Sequence, residues 1–111
     1  MVNRIKIPDS RLVVDRDSYV VLLSGREEIH LPRKEFEIIW LLSDIPGKVY
    51  SREIIFESVW GKKSKSRLKT VDVHISWLRD KLGDQIIRTV HGVGYKITPK
   101  EIERKGSGSK K

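Results

Sequence analysis

The sequence predicts an α+β fold with a small antiparallel sheet first, three helices next and a β-hairpin last. Three observations carry this reading. Short β-like runs separated by turn formers fill residues 4 to 31, apolar residues recur at helical spacing from 32 to 82, and two more β-like runs flank a glycine-rich tip at 91 to 94.

In the first part, Ile5-Lys6-Ile7, Arg11-Leu12-Val13-Val14, Tyr19 to Leu23 and Glu28 to Leu31 read as strands. Pro8-Asp9-Ser10, Asp15-Arg16-Asp17-Ser18 and Ser24-Gly25-Arg26 supply the turns between them. A sheet of three or four strands is expected over residues 1–31.

The helical part runs from 32 to 83. Pro32 to Ile45 places Phe36, Ile39, Trp40 and Leu42 at helical spacing, with proline in the first turn and Pro46-Gly47 as the stop. Ser51 is a candidate cap for a second helix ending near Val59 or Trp60, with Ile55, Ser58 and Val59 on one face and Gly61 beyond it. A third helix from Lys69 to Leu82 stops at Gly83. Strands at Ile86 to Val90 and Tyr95 to Ile97 surround His91-Gly92-Val93-Gly94 and close a hairpin over 84–98. Three helices followed by such a hairpin describe a winged helix-turn-helix. Residues 1–98 form the expected domain, and 99–111, ending in Gly-Ser-Gly-Ser-Lys-Lys, read as a flexible basic tail.

Composition narrows the function. Hydrophobic residues at 38% and charged residues at 34% describe a chain able to fold around one core. The absence of cysteine removes disulfides and thiolate metal sites and fits a cytoplasmic setting. No apolar run approaches the roughly 18 residues needed to span a bilayer, so no membrane segment is expected. A net charge of +8 suits a polyanionic partner. Lys62, Lys63, Lys65, Arg67 and Lys69 fall within eight residues that contain no acid.

The third helix is the most informative element. At 100° per residue Val71, Ile75, Leu78 and Leu82 lie within about 60° of one another and should face the core. The opposite face then carries Lys69, Thr70, Val73, His74, Trp77 and Lys81, with Asp80 as its acid. Trp77 can pack under the hairpin as additional core. Alternatively this face enters the major groove of double-stranded DNA, with Val73 or Trp77 against a thymine methyl or sugar and His74 near a base edge. Lys69, Thr70, Arg79 and Lys81 would then hold phosphates. A rival reading has the Val73 and Trp77 patch meet a protein partner. RNA binding is disfavoured because no paired aromatic platform lies on a strand. His30, His74 and His91 lack metal-ligand spacing, and no nucleophile, phosphate loop or paired-carboxylate motif appears, so no catalytic residue, cofactor or metal is expected.

Thr70-Val71-Asp72-Val73-His74-Ile75 and Thr89-Val90-His91-Gly92-Val93-Gly94-Tyr95 resemble the effector domain of OmpR/PhoB-type response regulators. Leu31 to Glu37, Pro46-Gly47-Lys48-Val49 and Val59-Trp60-Gly61 match its other landmarks in order, so the likeness covers roughly Arg11 to Ile97. The resemblance implies a four-stranded N-terminal sheet, the third helix in the major groove and the hairpin tip in the adjacent minor groove. It also implies phosphate contacts at Trp60, Lys69 and Thr70, base-reading positions at His74, Trp77 and His91, a wing contact at Thr89, and a loop at Lys62, Lys63, Lys65 and Arg67 that meets RNA polymerase. A phosphorylatable receiver domain belongs to full-length members of such families, and a homodimer on repeated DNA sites would supply affinity. Pro32 stands where a Thr cap is common. Trp77 stands where an Arg often reaches bases, and an indole cannot make the bidentate contact to guanine, which favours thymine-rich sites. His91 stands where Arg or Lys is frequent.

Overall fold

The computed structural model describes residues 11–23, 27–98 and 101–106. Its elements in chain order are β1 Arg11–Asp15, β2 Val20–Leu23, β3 Glu27–His30, α1 Arg33–Leu42, α2 Arg52–Val59, α3 Lys69–Leu82, β4 Ile87–Val90, β5 Gly94–Ile97 and β6 Glu101–Lys105. Two sheets result, one ordered β3-β2-β1-β6 and one made of β4 and β5.

The first hairpin pairs Val13 with Leu22 and Val14 with Val21. Its turn is held by the Asp17 backbone N–H donating to Asp15 Oδ1 at 3.0 Å, the local bond that makes aspartate a turn former. Tyr19 takes φ 56° at the end of this turn. A bulky residue in that region is held there by its surroundings. Here the ring stacks on Phe36 at 4.4 Å and the hydroxyl donates to Glu37 Oε2 at 2.7 Å. That bond to a carboxylate, with burial adding to it, raises the Tyr19 pKa above its ordinary value.

The fourth strand is the main departure from expectation. Glu101–Lys105, read from sequence as part of a flexible tail, lies parallel to β1 with Leu12 opposite Ile102 and Val14 opposite Arg104. The sheet is therefore not wholly antiparallel. Side-chain contacts hold the strand in place: the Arg104 guanidinium lies 3.9 Å from the Trp40 ring and donates to Asp44 Oδ1 at 2.9 Å. Arg16 approaches the same ring at 5.0 Å and forms a two-bond pair with Glu37 at 3.2 and 3.1 Å. The expected strand at Ile5 to Ile7 and the tail beyond 106 lie outside the described residues.

The helices follow the predicted order, and α1 alone ends clearly earlier than expected. Pro32 offers no side-chain cap to α1, and the helix begins instead with the Phe36 N–H donating to the Pro32 carbonyl at 2.9 Å. It ends at Ser43, whose hydroxyl donates to the Trp40 carbonyl at 2.9 Å, before Pro46 is reached. Phe36, Ile38, Ile39 and Leu42 are fully buried because α1 contacts α2, α3 and β5. Ser51 caps α2 as expected, its hydroxyl accepting from the Ile54 N–H at 3.1 Å. Ser58 is not on the inner face: it is exposed, and Ile55 is the buried residue of α2.

Val71, Ile75, Leu78 and Leu82 of α3 are buried against the rest of the core. Burying four such side chains contributes on the order of 6–12 kcal/mol. The wing is tied to the helices by backbone and side chain together. Tyr50 and Tyr95 exchange backbone hydrogen bonds at 2.8 and 2.9 Å. Beside this bridge a Cβ on Gly94 would sit 2.0 Å from the Tyr50 carbonyl oxygen, so only glycine permits the approach. The Tyr95 hydroxyl donates to Asp72 Oδ1 at 2.6 Å, and Arg52 pairs with Asp72 Oδ2 at 3.0 Å.

Burial, and then the bond to Asp72, push the Tyr95 pKa up to about 12. A pKa raised on folding means that the stabilisation is complete below the ordinary value of about 10 and is lost as pH climbs toward about 12. Tyr95→Phe should therefore cost about 1–2 kcal/mol near neutral pH, from the orphaned carboxylate oxygen. In denaturant titrations the variant should also lose part of the decline in stability that wild type shows between about pH 10 and 12. An identical pH profile in both proteins would show that the hydroxyl is not coupled to the fold.

Candidate nucleic-acid interface

With its apolar stripe buried, α3 presents the opposite side to solvent. Val73 and Trp77, neighbours at i and i+4, are 39% and 47% exposed. The core reading of Trp77 is excluded: the ring lies on the outer face and not beneath the hairpin. Lys69 is exposed at the first helical position and Thr70 is half-buried beside it.

His74 sits between two tryptophans. The Trp60 ring meets it edge-on at 5.0 Å and the Trp77 ring lies 4.8 Å away at 56°. Trp60 is held at the end of α2 by stacking on Phe56 at 5.5 Å, with the Lys34 ammonium 5.5 Å above its ring. Lys34 also donates to the Val59 carbonyl at 3.3 Å. Phe56, Trp60, His74 and Trp77 thus form one aromatic row spanning the end of α2 and the middle of α3.

The two cations toward the C-terminal end of α3 are committed elsewhere, which corrects their expected role as phosphate contacts. Arg79 turns inward, where Nε and Nη2 donate to the Ile87 carbonyl at 3.2 and 2.9 Å and Nη2 donates to Thr89 Oγ1 at 2.8 Å. Lys81 donates to Glu35 Oε1 at 2.7 Å, and Glu35 is only 2% exposed. A buried carboxylate without its partner would be costly, so this lysine is structural. Thr89, half-buried, accepts from Arg79 and keeps its own hydroxyl proton to donate.

At the wing tip Gly92 takes φ 78°, and the Val93 N–H closes the turn on the Val90 carbonyl at 2.9 Å. His91 is exposed there and Val93 is 56% exposed. Residues 89–95 and Arg52, Glu53 and Asp72 line a cleft between the tip and the helices. Asp72, the α3 acid that lines this cleft, is already matched by Arg52 and the Tyr95 hydroxyl. Lys62, Lys63, Lys65 and Arg67 are all exposed on the α2–α3 loop, which Gly61 opens at φ 95°.

Sequence reasoning missed Arg52, Tyr95 and Lys34. Each acts through a partner twenty or more residues away, which no local spacing signals. Among the described residues no group of histidines and acids could hold a metal ion, and no helix is long and apolar enough to cross a membrane.

Comparison with known proteins agrees with this geometry. Residues 25–97 match the family described as transcriptional regulatory protein, C terminal. The heme response regulator HssR of Staphylococcus saprophyticus is 38% identical over 84 residues, covering 72% of this chain and 38% of that protein. The chain thus spans well under half the length of the curated relatives it matches. Among solved structures, the DNA-binding domain of Bacillus subtilis CssR superposes with a TM-score of 0.69 at 31% identity, covering 78% of this chain and 98% of that one. The AdeR DNA-binding domain, solved in complex with an intercistronic region, gives 0.70 at 30% identity, covering 80% and 95%. The chain is a winged helix-turn-helix belonging to the C-terminal effector domains of OmpR/PhoB-type transcriptional regulatory proteins.

Proposed function

We propose that this chain is the double-stranded DNA-binding part of a response regulator that controls transcription, with α3 entering the major groove and the wing the adjacent minor groove. The observation that carries the reading is the exposed Val73, His74 and Trp77 surface on a helix whose own apolar stripe is already buried. Relatives of the same fold solved with DNA, AdeR with an intercistronic region and the Klebsiella pneumoniae RstA domain with its RstA box, support it.

In this reading Trp60, Lys69 and Thr70 contact phosphates, while Val73, His74 and Trp77 face base edges and His91 and Thr89 approach the minor groove. Lys62, Lys63, Lys65 and Arg67 form a surface for RNA polymerase. A receiver domain in the full-length protein, phosphorylated in response to a signal, would control assembly of a homodimer on repeated sites in the cytoplasm. A single module of this kind buries only roughly 600–1,000 Å² on DNA, which makes paired sites the natural target.

Affinity for a duplex obtained by in vitro selection should fall steeply with salt. If about five phosphates are neutralised, log K against log salt has a slope of about −4 to −5. Salt-independent binding, or equal affinity for random and selected duplexes, would refute the reading. Trp77→Ala should reduce affinity for the selected duplex by about 10-fold or more, while thermal unfolding stays close to that of wild type because the ring is half-exposed. Unchanged DNA affinity would instead support a protein partner for the Val73 and Trp77 patch.

A further inference from the structure

Resting on the DNA-binding reading above, the geometry of α3 also assigns a polarity to one of its contacts. His74 Nδ1 lies 2.8 Å from the Thr70 backbone carbonyl. A carbonyl oxygen only accepts, so Nδ1 carries the proton of that bond, and in the neutral ring Nε2 is left as an acceptor. Among the described residues no group bonds to Nε2. The ring has little freedom to reverse this arrangement, because Trp60 at 5.0 Å and Trp77 at 4.8 Å hold it on both sides while the helix backbone holds Nδ1.

We propose that His74 is a specificity-determining residue whose Nε2 accepts from an exocyclic amino group, so that an adenine or a cytosine occupies its place in the major groove. Adenine N6 and cytosine N4 are the amino donors presented there, whereas guanine and thymine present the acceptors O6, N7 and O4. An acceptor fixed in advance by its own helix binds the first pair and is repelled by the second. In the neutral ring a phosphate oxygen, itself an acceptor, is an equally poor partner for this nitrogen. His74 therefore differs in kind from Lys69 beside it, which holds the backbone irrespective of sequence.

The test is a binding cycle on a selected duplex. Each adenine or cytosine in turn is replaced by the analogue lacking only its amino group, and affinity is measured for wild type, His74→Ala and His74→Phe. The phenyl ring of His74→Phe retains the packing between Trp60 and Trp77 without offering an acceptor. Because every protein meets the same altered duplex, changes in the DNA itself cancel from the cycle. At one position wild type should lose about 10-fold in affinity and both variants should lose almost none. Equal losses in all three proteins at every position would overturn the assignment. So would a His74 variant that weakens random and selected duplexes alike, the mark of a phosphate contact. Failure of wild type to select any duplex would overturn the DNA-binding reading itself, and this assignment with it.

Discussion

The burial of Val71, Ile75, Leu78 and Leu82 fixes the rotation of α3, and most of the functional surface follows from that rotation. Once this stripe points inward, the positions on the opposite side of the helix must point out. Val73, His74 and Trp77 are thereby displayed by a rigid helix without side-chain adjustment. The wing is set by the same helix. Asp72, one position past the stripe, receives the Tyr95 hydroxyl from β5 and the Arg52 guanidinium from α2. Arg79, one position past Leu78, reaches the Ile87 carbonyl and Thr89 on β4. Helix and hairpin therefore form one unit, and two groove contacts in register require such a unit.

Charge on this domain is divided by task. Arg16 and Arg104 approach Trp40 and pair with Glu37 and Asp44, holding the N-terminal sheet and β6 to α1. Arg79 and Lys81 lock α3 to its neighbours. Lys62, Lys63, Lys65, Arg67 and Lys69 remain exposed toward solvent. Each cation–carboxylate pair neutralises an acid along with its base, so this pairing leaves the net charge of +8 unchanged. Among the described residues, five exposed cations gather at this loop and the N-terminal end of α3.

Much of this was legible in the sequence because it rests on short periods. The helical repeat of α3, the Ser51 cap and the glycine-bearing wing each depend on residues within one or two turns of one another, and the structure reproduces all three. What could not be read depends on distant partners. Lys81 looks like a surface cation until Glu35, forty-six positions earlier, is brought beneath it. Arg79 looks like a grip for phosphate until β4 supplies a carbonyl. The strand at 101–105 has no strong alternation and resembles tail, yet β1 offers it a free edge and Trp40 offers Arg104 a ring. Ser58 fits a helical period but falls on the outer side of a helix that needs only Ile55 inside.

The central claim is that the outer face of α3, with the wing beside it, receives DNA. The three tryptophans report on it separately, since Trp77 and Trp60 border that face whereas Trp40 lies with β6 on α1. Each indole N–H gives its own proton–nitrogen resonance, and a titration with a selected duplex follows all three at once. Large shifts at Trp77 and smaller ones at Trp60, with Trp40 unmoved, are the predicted result. A shifted Trp40 beside an unmoved Trp77 would place the DNA on the wrong side of the domain and contradict the account.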